Sequence, residues 1–152
     1  HVGVTDQLLD DDDGDDGTEL PNGPRQMIVT DGLFHIIMFG WAKLSSKISE
    51  EGPRRIIELI ELMIQENDYD QRQKQEDDDD GERDGRMISC QPSTKSYNIL
   101  LTALANASRN DPKKSPKHAE STLQTMSDHH SQRGWHTKPN SRSWSLVIIA
   151  YA

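Results

Sequence analysis

The chain repeats itself, and an internal repeat limits a fold to units that stack on their neighbours. Displacing the sequence by 63 positions lays residues 34–63 on 97–126 without a gap. Phe34 then meets Tyr97, Ile36 meets Ile99, and Ile37 and Met38 meet Leu100 and Leu101. Gly40 meets Ala103, Ala42 meets Ala105, Ser45 meets Ser108, Pro53 meets Pro116, Ile60 meets Leu123 and Met63 meets Met126. A displacement of 47 lays 92–98 on 139–145, so that Ser96, Tyr97 and Asn98 meet Ser143, Trp144 and Ser145. There are thus two full units and the opening of a third. The first is longer than the second by 16 residues, about the size of an acidic tract inside it.

Each unit reads as two helices. The first opens after a polar cap region, Ser93-Thr94 or Asn140-Ser141. Tyr97, Leu100, Leu101, Leu104 and Ala105 then follow at the three-and-four spacing of one helical stripe. The second starts at Pro53 or Pro116, a residue favoured in a helix's first turn. It carries Ile56, Ile60 and Met63, or Ala119, Leu123 and Met126. Ile57, Leu59, Leu62 and Ile64 make the first unit's second helix apolar nearly all round, as packing against both flanking units requires. The small residues Gly40, Ala103 and Ala150, with Ala42, Ala105 and Ala152, are expected where neighbouring helices approach closely. The expected fold is all-α, an α-solenoid of antiparallel helix pairs.

Hydrophobic residues make up only 32% of the chain, below what a fully packed domain of this length uses. Part of it is therefore expected not to fold. The formal charge of −9 divides unevenly. Residues 1–84 hold 8 basic and 23 acidic residues, and 85–152 hold 9 basic and 3 acidic ones. Packed carboxylates at 10–17 and 76–82 repel one another and bring no apolar surface, so both tracts are expected to be disordered. The expected organisation is a disordered acidic segment at 1–26, then repeats at about 27–74, 92–138 and a truncated 139–152. A disordered acidic insert lies at 75–86. Neither tract fits a calcium loop: Gly14 stands where one frame needs Asp, and Met87 where the other needs the closing Glu.

Other chemistry is sparse. Cys90 is the one cysteine, which excludes an internal disulfide. His118, His129, His130 and His136 have no ligand-spaced partners for zinc, so no metal and no cofactor are expected. No phosphate-binding glycine loop or nucleophile elbow is present, so no enzymatic activity is expected. Asn106-Ala107-Ser108 is a formal glycosylation sequon near the end of a packed helix. No apolar run reaches the length of a membrane span. The chain has no initiator Met and stops within an apolar run, 144–152, so a piece of a longer protein is expected.

The pattern Pro-[Ser/Asn]-x-x-Ser-[Tyr/Trp]-[Asn/Ser]-x-[Leu/Val]-[Leu/Ile]-x-Ala, with a second helix ending in Met, resembles the pentatricopeptide repeat. The resemblance covers 31–152 and is most specific from 92 onward. The first unit departs from it, with Val29-Thr30-Asp31 before the helix and His35 at the position of Asn98 and Ser145. The spacing of 47 exceeds the family's usual ~35, close to the ~34 of its tetratricopeptide cousin. The cousin needs a small residue four positions after the aromatic, where Met38, Leu101 and Ile148 stand.

The resemblance implies sequence-selective binding of single-stranded RNA, about one base per unit. It implies work in a mitochondrion or plastid on RNA processing, stability or translation, with no DNA and no membrane partner. The base-reading positions it implies are Asn98 with Asn140, a pair that in the family goes with a pyrimidine, and His35 with Ser93. Ser145 is the reading position of the third unit. Lys95 and Arg142 stand where a side chain touches the neighbouring base, and a cationic stem there also reaches phosphate. Read without the resemblance, Asn98 and Ser145 are polar residues of a helix's first turn, and Asn140 and Ser93 are N-caps. The rival function is a scaffold of tetratricopeptide type whose groove holds a protein partner. Trp41 falls in register with Leu104 and is expected to pack rather than to stack on a base.

Overall fold

A computed structural model describes residues 30–48, 50–76 and 90–152 of the chain, side chains of 73–76 excepted. The expected acidic segment 1–26 and the stretch 77–86 of the expected insert lie outside the described residues. Five helices account for most of the described backbone: α1 (Asp31–Leu44), α2 (Glu51–Glu76), α3 (Thr94–Ala107), α4 (Ser115–Arg133) and α5 (Ser141–Tyr151). There is no strand among the described residues. The fold is all-α and repeat-like.

Local chemistry sets the helix boundaries. Asn140 caps α5: its side-chain oxygen accepts the Ser143 N–H at 3.0 Å, and its own N–H donates to Ser143 Oγ at 3.1 Å. Ser93 opens α3 in the same extended conformation, and its N–H donates to Ser96 Oγ at 3.2 Å. Pro116 lies in the first turn of α4, where a missing N–H costs nothing. Gly134 ends α4 with φ +67°, a left-handed conformation that glycine adopts without strain. α2 begins two residues before Pro53 and runs on to Glu76, well past the apolar stripe that ends at Met63.

Packing follows the repeat. α1 meets α2 and α3; α3 meets α2, α4 and α5; α4 meets α5; the backbones of α2 and α4 stay apart and are bridged by Arg133, whose Nη1 donates to Asp68 Oδ1 at 2.9 Å. The stripes expected from the sequence form the core. Phe34, Met38 and Ala42 of α1 are buried, as are their counterparts Tyr97, Leu101 and Ala105. Ile56, Ile60 and Met63 of α2 match buried Ala119, Leu123 and Met126 of α4. Trp41 is partly buried against this core and carries the Arg55 guanidinium 6.0 Å from its ring. At the far ends of the first helices, Asn106 Nδ2 donates to the Ala42 carbonyl at 3.0 Å, and Asn110 Nδ2 to the Ser46 carbonyl at 2.8 Å.

Two expectations are corrected. Gly40 is not at a close approach: a Cβ placed there meets nothing within 4 Å, whereas its counterparts Ala103 and Ala150 are buried. The first unit's close approach is made by Gly52, where a Cβ would run into the Ser45 side chain and lie 3.0 Å from the Trp41 carbonyl. α2 does pack on helices of two units, α1 and α3, but Ile57 and Leu62 stay exposed. Between α2 and α4 a cleft of about 400 Å³ opens, lined by Ile57, Ile64, Leu100 and Leu104.

Candidate nucleic-acid interface

The start of α3, the start of α5 and the turn before α5 bring the second unit's candidate residues together. Thr94 anchors the turn: its N–H donates to the His136 carbonyl at 2.8 Å, and its hydroxyl lies 3.0 Å from that carbonyl and 3.1 Å from that of Lys138. This places Asn140 beside Asn98.

A directional hydrogen-bond chain joins the two carboxamides. The Ser143 backbone N–H can only donate, and it donates to Asn140 Oδ1. That turns the Asn140 oxygen inward and its amide nitrogen outward. Asn98 Nδ2 donates to the same oxygen at 3.4 Å, a long bond. Asn98 Oδ1 then faces Ser143 and accepts its hydroxyl at 2.7 Å. Reversing the Asn98 amide would set two acceptor oxygens against each other. Asn98 is 8% exposed, while Asn140 lies open to solvent with no partner on its amide nitrogen among the described residues.

A counterpart stands one unit earlier. His35, in register with Asn98, has Nε2 2.9 Å from Ser96 Oγ, and Ser96 is in register with Ser143. Ser93 Oγ is 3.4 Å from Ser96 Oγ, the place Asn140 takes beside Ser143. His35 is buried, and burial first and the nearby Lys95 charge second hold its imidazole below the usual range; Asp31 pulls weakly the other way. Burial in turn pushes the Asp31 carboxyl up, with His35 opposing.

The cationic candidates are outside this network. Lys95 and Arg142 are exposed at equivalent positions on the first turns of α3 and α5. Ser145 is exposed, and its hydroxyl donates to the Ser141 carbonyl at 2.9 Å within its own helix. So Asn98 and Asn140 are brought together, Lys95 stands three residues before Asn98 on α3, and His35 and Ser93 flank Ser96. Ser96 and Ser143 were missed as site residues. Their signal in the sequence was present: the same serine stands before the aromatic in both units.

Two other histidines are occupied. His129 Nδ1 lies 2.7 Å from the Tyr97 hydroxyl, whose pKa burial pushes up to about 12. His130 Nδ1 lies 2.8 Å from the Trp135 carbonyl. Among the described residues no three His, Cys, Asp or Glu side chains gather as a metal-binding group. No described helix is long and apolar enough to cross a membrane. What the surface offers is hydrogen-bond donors at the Asn140 amide, with exposed cations on the first turns of α3 and α5. No protein-family model, curated protein or solved structure matches the chain.

Proposed function

We propose that this chain is part of a helical-repeat array of pentatricopeptide type that captures single-stranded RNA by sequence and performs no chemistry on it. In this reading the helices are antiparallel pairs stacked as an α-solenoid. The contact pattern supports that, since first helices meet first helices and each second helix meets the next unit. The observation that carries the function is the carboxamide pair. Asn98 and Asn140 sit 3.4 Å apart at a unit boundary, with Asn140 open to solvent. A carboxamide matches the edge of a base, and Lys95 and Arg142 supply charge for phosphate. The place of action, by resemblance, is a mitochondrion or plastid, in RNA processing, stability or translation.

Ultraviolet crosslinking and sequencing of RNA bound to the full-length protein in cells tests this. A discrete organellar transcript, lost or shifted by Asn98→Ala with Asn140→Ala, is the expected result. A bound transcript unchanged by the variant removes these two residues from the site, and no RNA above background removes the function.

A second reading, a protein-binding scaffold, is favoured by one observation. Ile36 and Phe39 of α1 are 70% and 41% exposed, and the cleft between α2 and α4 is apolar in its floor. Exposed apolar surface of this kind suits a protein partner.

A further inference from the structure

We propose that Ser143 is a positioning residue for base reading: its hydroxyl sets which end of the Asn98 carboxamide meets the ligand. This rests on the RNA reading above. The Ser143 N–H fixes the Asn140 oxygen inward, and that oxygen draws the Asn98 nitrogen toward it. The Ser143 hydroxyl, 2.7 Å from Asn98 Oδ1 and buried, completes the pair by holding the other end. Of the two bonds on Asn98, this is the short one, and it comes from the following unit rather than from α3 itself.

The consequence is a donor-facing site. Among the described residues, Asn98 keeps one Nδ2 hydrogen without a partner, and Asn140 keeps both of its own. Such a site selects a base edge that presents acceptors at that position. Removal of the Ser143 hydroxyl takes away the short bond and leaves Asn98 held only by its 3.4 Å bond to Asn140 Oδ1, so it turns more readily and presents its acceptor as well as its donor. Base preference falls while the cationic contacts of Lys95 and Arg142 are untouched. Ser96 holds the same place against His35, so one serine per boundary serves the preceding unit's reading residue. At the first boundary the partner is an imidazole, which has no amide to orient. The proposal therefore concerns Ser143.

The test uses the full-length protein with Ser143→Ala and, as the hydroxyl-retaining variant, Ser143→Thr. The first readout is solvent exchange of the Asn98 side-chain amide by nuclear magnetic resonance. Protection is expected to drop about tenfold in Ser143→Ala and to return in Ser143→Thr, the scale of one buried hydrogen bond. The second is affinity for short single-stranded RNAs differing at one base. The ratio between the best and worst base is expected to shrink about three- to tenfold in Ser143→Ala. The salt dependence of binding, which counts phosphate contacts, stays unchanged. A residue with only a structural role would weaken all the RNAs alike and leave the ratio intact. If Ser143→Ala loses its helical signal, Ser143→Cys replaces it, with similar shape and a much weaker donor.

Unchanged Asn98 protection and an unchanged base ratio overturn the positioning role and leave RNA binding standing. A drop in protection in a protein whose wild type binds no RNA overturns both the RNA reading and the proposal built on it. A drop in both protection and ratio, restored by threonine, supports the proposal.

Discussion

Ser143 donates its hydroxyl to Asn98 across the contact between α5 and α3, at 2.7 Å and out of reach of solvent. The bond spans 45 positions of sequence. It is matched by Ser96 and His35 between α3 and α1. The units are therefore joined by polar rungs as well as by apolar packing. Substituting Asn98 by Ala takes away the shorter acceptor of the buried Ser143 hydroxyl and leaves it Asn140 Oδ1 at 3.1 Å. The expected cost is about 0.5–1.5 kcal/mol, that of one hydrogen bond. Urea denaturation followed by circular dichroism checks it, and an unchanged midpoint at unchanged slope would show that the rung contributes nothing.

Leu101 and Ile148 occupy the same register position, yet Leu101 is fully buried and Ile148 is 69% exposed. Leu101→Ala is expected to cost about 2–5 kcal/mol by loss of burial and creation of a cavity. Ile148→Ala is expected to stay within ~0.5 kcal/mol, as surface substitutions do. The same denaturation experiment on both variants decides it, and equal costs would mean that the two positions are packed alike.

Two glycines of the first unit give opposite predictions. Gly40 has open space where a Cβ would go, and its counterparts are alanines. Gly40→Ala is expected to stabilise by about 0.5–1 kcal/mol through helix propensity. At Gly52 the new Cβ meets Ser45, whose hydroxyl donates to the Trp41 carbonyl at 2.9 Å. Gly52→Ala is expected to destabilise by about 1–3 kcal/mol, overpacking outweighing propensity. Thermal melts of the two variants should move in opposite directions. A shift upward for both would show that α2 has room to slide from α1.

His35 and His129 set an acid limit to stability. Burial is the main cause that holds both imidazoles below their usual 6.5. Lys95 adds to it at His35 and Arg133 at His129, with Asp31, and Asp128 and Asp68, opposing. The unfolded chain therefore binds more protons than the folded one between 6.5 and the lowered folded values. Stability is full above that window and falls as pH falls through it. The denaturation midpoint should hold steady from about pH 8 to 7 and drop on further acidification. His35→Asn with His129→Gln should flatten the drop, asparagine being the residue already used at the equivalent of His35. A slope that persists in the double variant would place its origin elsewhere.

The helices and their buried stripes were legible because a core imposes a period. Phe34, Met38, Ala42 and their partners 63 positions on stand at helical spacing whatever their neighbours do. The capping role of Asn140 was legible for a similar reason, since the cap lies within three residues of what it caps. Contacts between units were not legible. Whether Ser143 reaches Asn98, or Asn106 reaches the Ala42 carbonyl, depends on how far one helix slides along the next. Periodicity within a helix carries no information about that offset. Gly40 misled for the same reason: a small residue marks a close approach only if the neighbouring helix passes at its level. The gap between α2 and α4 depends likewise on where the second helices lean.

The most direct test of the central claim is selection of RNA from a random single-stranded pool by the full-length protein, alongside Asn98→Ala with Asn140→Ala. The account predicts an enriched motif from the wild type with one base position that loses its preference in the double variant, while salt-dependent binding remains. A pool that stays random with the wild type, or a motif that is identical in both proteins, would contradict it.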